Sequence, residues 1–133
     1  MIEKKNFNFL AFFLIHSQVV IAESNVSDVL EAALKEMKSL IPVEINENTK
    51  WTGIRLANGN TVVYSYELLN MQDKQRNISK LQASLNTDLI NNYCKSRDLS
   101  FYRDNDIAAH YEYFDENNTY LFIIKIGSKQ CLN

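Results

Sequence analysis

Apolar residues fall into two different rhythms along this chain. Val26, Val29, Leu30, Ala33, Leu34, Met37 and Ile41 recur at three- and four-residue steps, the spacing that puts them on one face of a helix. Ser24 or Ser27 is positioned to cap its start, Asp28 and Glu31 suit its first turn, and Pro42 stops it. Glu31 and Lys35 make a favourable i, i+4 pair on the wet side. A second stripe, Ile78, Leu81, Leu85, Leu89 and Tyr93, predicts another helix running to Lys95 with Asn77 as its cap.

Between and after the helices the rhythm changes to two. Trp51 to Ala57 and Thr61 to Leu69 flank Asn58-Gly59-Asn60, a hairpin signal. The apolar pattern sets the loop length. An odd loop places Ile54 and Leu56 on the face of Val62, Tyr64, Tyr66 and Leu68, whereas a one-residue slip would oppose them to Ser65 and Glu67. A three-residue loop with Gly59 in the left-handed region follows. In that alternation Trp51 falls opposite the Ile54 face, the same side as Arg55. Val43 to Asn48 reads as a short edge strand, and Met71 to Asn77 as a polar break.

Ile107 to Asp115 and Thr119 to Ile126 predict a second hairpin around Glu116-Asn117-Asn118. An even register groups Ala109, Tyr111 and Tyr113 with Tyr120, Phe122, Ile124 and Ile126 as a core face. His110, Glu112, Phe114, Leu121, Ile123 and Lys125 fall on the other, mixed face. Leu99 to Arg103 adds a helical turn, and Asp104-Asn105-Asp106 is a turn. The expected fold is an α+β two-layer domain in the order α-β-β-α-β-β. It has an antiparallel sheet of about four strands, in two hairpins, with both amphipathic helices on one face.

The start of the chain changes what counts as the protein. Lys4 and Lys5 precede the apolar run Phe7 to Ile15, and Val20-Ile21-Ala22 ends it with small residues at the −3 and −1 positions. This is the layout of a secretory signal peptide cleaved after Ala22. The run is about half the roughly 20 residues that a membrane-spanning helix needs. The competing reading is an uncleaved anchor or a buried first helix. Cleavage leaves residues 23–133 as one globular domain with 12 basic and 15 acidic residues, a formal net charge of −3.

Composition then narrows the function. An acidic net charge argues against a nucleic-acid binder, and abundant aromatic residues argue against disorder. Plentiful Asn, Lys and Ile suggest a bacterial coding bias, and with the leader they point to the periplasm or secretion. Asn25, Asn77 and Asn117 match the glycosylation acceptor pattern and are set aside on that ground. Cys94 and Cys131, an even pair in an exported chain, predict one disulfide pinning the tail to the second helix.

Chemistry is thinly supplied. Asp104, Asp106 and His110 match no metal-site spacing, so neither metal nor cofactor is expected. His110 and Glu112 lie on one strand face about 7 Å apart, as a base and its orienting carboxylate would, and equally as two solvated residues would. No nucleophile elbow, phosphate loop or dinucleotide fingerprint occurs.

The leading expectation is therefore a non-enzymatic protein-binding domain of the inhibitor or toxin-immunity type, with a basic protein partner to match the acidic chain. Alternatives are an accessory subunit of an envelope secretion or conjugation assembly, or a small enzyme with a pocket over the sheet. Trp51, Arg55, His110, Glu112 and Phe114 are the candidate partner contacts. No nucleic acid and no stable membrane span after cleavage are expected.

Overall fold

The first helical stripe forms helix α1, Val26–Lys38, and sinks Val29, Leu30, Ala33, Leu34 and Met37 into the interior. Its cap is Asn25 rather than either serine. The Asn25 carboxamide accepts the Asp28 N–H at 2.8 Å, satisfying one of the helix's unpaired first-turn donors. The computed structural model describes residues 25–58, 60–71 and 77–132. The leader expectation, the conformation of Gly59 and most of the polar break after Met71 lie outside these residues.

The edge segment is a true strand, β1 (Val43–Asn46), followed by β2 (Thr49–Ala57) and β3 (Thr61–Leu68). Leu56 pairs with Val62 and Ile54 with Tyr64, so residues 58–60 make a three-residue connection and the odd register stands. Asn58 takes a left-handed conformation in it (φ 55). The register shifts between Trp51 and Gly53. This is a β-bulge, in which Thr52 is the extra residue.

Helix α2 (Ile78–Lys95) leads into a 3-10 turn, Arg97–Leu99, and a short helix α3 (Ser100–Asp104). Asn77 occupies the N-cap position of α2 without a side-chain capping bond. Strands β4 (Ala108–Phe114) and β5 (Tyr120–Ile126) close the sheet. Among the described residues the sheet has five strands in the order β1-β2-β3-β4-β5.

This corrects the expected sheet of four antiparallel strands. β1 is the fifth strand, and β3 pairs with β4 in parallel, Tyr64 beside Tyr111 and Tyr66 beside Tyr113. The connection from β3 to β4 carries α2 and α3. A helical crossover of this length returns the chain to the end of the sheet where it started, which makes the next strand parallel. The α+β class and the placement of the helices on one face stand: α1, α2 and α3 side chains share a single core with the inward residues of β2 to β5.

That core is aromatic along its middle. Trp51, Tyr64, Tyr111, Tyr66, Tyr113 and Phe122 form a continuous series of neighbouring rings with centroids 5.0 to 6.4 Å apart. Such contacts add about 0.5–1.5 kcal/mol each beyond burial of area. The Tyr64 and Tyr102 hydroxyls bond each other at 2.7 Å. Tyr93 donates to the Ile107 carbonyl at 2.6 Å.

A second bulge lies in β5. Tyr113 pairs with Phe122, but Phe114 pairs with Tyr120, which makes Leu121 the extra residue. Tyr120, expected in the core, is instead 54% exposed. It meets Phe114 edge-on at 5.9 Å.

Candidate partner-binding surfaces

The sheet face turned away from the helices is assembled in transverse rows. Gly53, Ser65, Glu112 and Ile123 form one row, and Arg55, Val63, His110 and Lys125 the next. Arg55, His110, Glu112 and Phe114, four of the five expected partner contacts, all lie on this one face. Arg55 donates to Glu112 at 2.7 Å across the intervening strand β3, and Ser65 donates to the same carboxylate oxygen at 2.6 Å. Gly53 permits this close packing: a Cβ there would stand 3.3 Å from the Ser65 Cβ.

These bonds decide the charge state of the face. Burial alone would raise the Glu112 carboxyl; the hydrogen bonds from Arg55 and Ser65, with the Arg55 charge, outweigh it and hold Glu112 below the ordinary carboxylate value. Partial burial, helped by Lys125 opposite, pushes His110 below its ordinary value. Phe114 and Ile123 are half-buried here, and Val63 is buried between its neighbours.

Trp51 does not join them. It is 5% exposed and packs in the core, with its indole N–H donating to the Gly53 carbonyl at 2.9 Å. The bulge at Thr52 explains the correction, because one extra residue reverses the alternation between Ile54 and Trp51. Thr52 itself is exposed, its hydroxyl donating to the Ser65 carbonyl at 3.2 Å.

The cysteines meet as expected. Cys94 at the end of α2 is bonded to Cys131, with Cα atoms 5.3 Å apart, and the bond holds the C-terminal turn Ser128–Cys131 against the helix. Asp106 of the predicted turn has φ 54 and accepts from Ser128 at 2.9 Å. That bond ties the turn to the same C-terminal segment.

Helix α2 forms a second surface, which carries none of the expected contact residues. Helix α2 buries only Tyr93; Ile78, Leu81, Leu85 and Leu89 reach the core with one side and remain half-exposed on the other. At its first turns an open hollow of about 320 Å³ is lined by Asn77, Lys80, Leu81 and Ser84. The available signal was the narrowness of the stripe. Leu81 lies between Lys80 and Gln82 and Leu85 between Ser84 and Asn86, too little apolar width there for a helix sunk as deeply as α1. Among the described residues, no helix is long and apolar enough to cross a membrane.

The fold has solved counterparts. A candidate secreted protein of Pseudomonas aeruginosa is similar with a TM-score of 0.67 at 15% identity, over 81% of this chain and 98% of that one. A pilotin of the Vibrio vulnificus type 2 secretion system gives 0.62 at 12% identity, over 75% and 86%. The Vibrio cholerae type II secretion system pilotin gives 0.55 at 12%, over 74% and 84%. At such identities the likeness is one of fold. No curated protein matches the sequence. Residues 25–122, from the cap of α1 into β5, match the family described as "Domain of unknown function (DUF8479)", and the chain belongs to that family.

Proposed function

We propose that this chain is an exported accessory subunit of an envelope secretion assembly, and that it acts by holding a protein partner rather than by catalysis. The observation that carries the reading is the fold it shares with two pilotins of type 2 secretion systems. The half-exposed leucine stripe of α2 supports it. Leu81, Leu85 and Leu89 present an apolar strip on a helix that the disulfide anchors at its far end. A strip of this kind receives another apolar segment, as in helix-in-groove recognition. A periplasmic or secreted location fits both the leader and the neighbouring structures. The likenesses favour this reading over the inhibitor or toxin-immunity one.

The test is crosslinking in intact cells, followed by identification of the captured partner. A component of an outer-membrane secretion complex is the expected product. Leu85→Asp, which adds a charge at a half-exposed position, should abolish capture while leaving the thermal transition within a few degrees. Recovery of a soluble envelope enzyme would restore the inhibitor reading, and capture that Leu85→Asp leaves unchanged would remove α2 from the interface.

A further inference from the structure

One cross-strand pair on the open sheet face conflicts with folding economy. His110 of β4 stands directly opposite Lys125 of β5, and Arg55 of β2 lies in the same row beyond Val63. When the imidazole is protonated the two are like charges directly opposite each other, an arrangement that destabilises a sheet. The charged groups facing His110 are Lys125, Arg55 and Glu112 of its own strand, while β3 contributes only Val63 and Ser65. Glu112 takes its bonds from Arg55 and Ser65, both at Oε2, and makes none to His110 or Lys125. Among the described residues, the Lys125 ammonium and both His110 nitrogens have no protein partner. Local conflicts that a fold retains are a mark of functional sites.

We propose that carboxylates of an acidic segment in a protein partner bind along the row Arg55, His110 and Lys125, pairing with Lys125 and with the guanidinium N–H groups of Arg55 that Glu112 does not engage. This rests on the reading of the chain as a partner-binding subunit and adds the partner's chemistry. It replaces the basic partner suggested by net charge with an acidic one, since contact is governed by the local face and not by the sum over the chain.

The spacing selects the ligand. Arg55 and His110 are two strands apart, about 10 Å. They do not converge on one small anion, but they suit successive carboxylates on one chain. Arg55, its side chain 56% exposed, keeps the rest of its guanidinium fork free for a bidentate contact. Half-buried Ile123 and Phe114 on the same face offer apolar contact to the segment's other side chains.

The experiment titrates the purified chain with an oligoglutamate peptide, following backbone amide shifts, with oligolysine as the control. Shifts at Val63, Ser65, His110 and Lys125 are expected with oligoglutamate alone. Lys125→Glu should weaken binding about tenfold, while Lys80→Ala on α2 leaves it unchanged. His110→Ala should weaken it about threefold near pH 6 and less at higher pH, where the imidazole is neutral. Scattered shifts, or equal effects of Lys80→Ala and Lys125→Glu, would overturn the proposal. So would binding to phosphatidylglycerol vesicles without binding to the peptide, or a dimer in sedimentation that Lys125→Glu dissolves. Cellular capture lost in Leu85→Asp but retained in Lys125→Glu would overturn this inference alone and leave the accessory role standing.

Discussion

Trp51 on β2 faces Tyr66 on β3, although Gly53, two residues further along β2, faces Ser65, the residue immediately before Tyr66. The single extra residue, Thr52, turns the only tryptophan of the chain inward onto the aromatic core. Deleting Thr52 should remove the bulge and leave Trp51 opposite Tyr66 and inward, so tryptophan emission should keep its buried position; a red shift would contradict this placement. Trp51→Ala, with the bulge kept, should cost about 3–5 kcal/mol in urea unfolding, as loss of a large buried aromatic does.

The Tyr93 hydroxyl supplies the hydrogen bond to the carbonyl of Ile107, a residue with no exposed surface. Tyr93→Phe removes the donor and leaves that acceptor inside. The expected cost is about 1–3 kcal/mol. Tyr120→Phe, at an exposed ring, should stay within about 0.5 kcal/mol. Equal costs for the two would contradict the burial difference.

Cys94 and Cys131 are 37 residues apart in sequence. Replacing both with Ala frees the unfolded chain from that loop, an expected loss of about 2–4 kcal/mol in the chain-entropy account. Hydrogen exchange should accelerate first at the end of α2 and in the turn Ser128–Cys131, because the bond joins those two segments.

Three sets of groups shape the dependence of stability on pH, and their signs differ. Glu112 sits below its unfolded value of 4.5, so its contribution is present above that pH and is lost as pH falls through the lower folded value. His110 is also lowered, from 6.5; the fold favours its neutral form, and stability declines as pH falls below that value. Burial raises Tyr64, Tyr66, Tyr111 and Tyr113 above 10.0 and Tyr102 to about 12, so their contribution is lost as pH rises beyond 10. Melting temperature against pH should therefore form a plateau between about 6.5 and 10. Glu112→Gln should flatten its acid limb, and His110→Gln should remove a shallow slope below pH 6.5. Both effects are modest because the groups are partly solvated.

Hairpin registers were legible because parity is a local property: Ile54, Leu56, Val62 and Tyr64 have one arrangement that keeps all four off the wet face. The same parity misplaced Trp51 and Tyr120. A bulge costs one residue of alternation and carries no composition of its own; Thr52 and Leu121 are ordinary strand residues. Arg55, His110, Glu112 and Phe114 were readable as one face for two separate hairpins, but the salt bridge between Arg55 and Glu112 was not. It depends on β3 and β4 lying side by side.

Short-range pattern settled the helices α1 and α2, the strand runs, the cysteine pair and the mixed character of the open face, since each depends on residues within a few positions of one another. Tertiary structure decided the parallel join of β3 to β4, the inward turn of Trp51, the outward turn of Tyr120 and the shallow seating of α2. It also placed Arg55, His110 and Lys125 in one row. Those outcomes depend on which distant strands become neighbours, and that choice follows from burying the whole aromatic core at once rather than from any local run of residues.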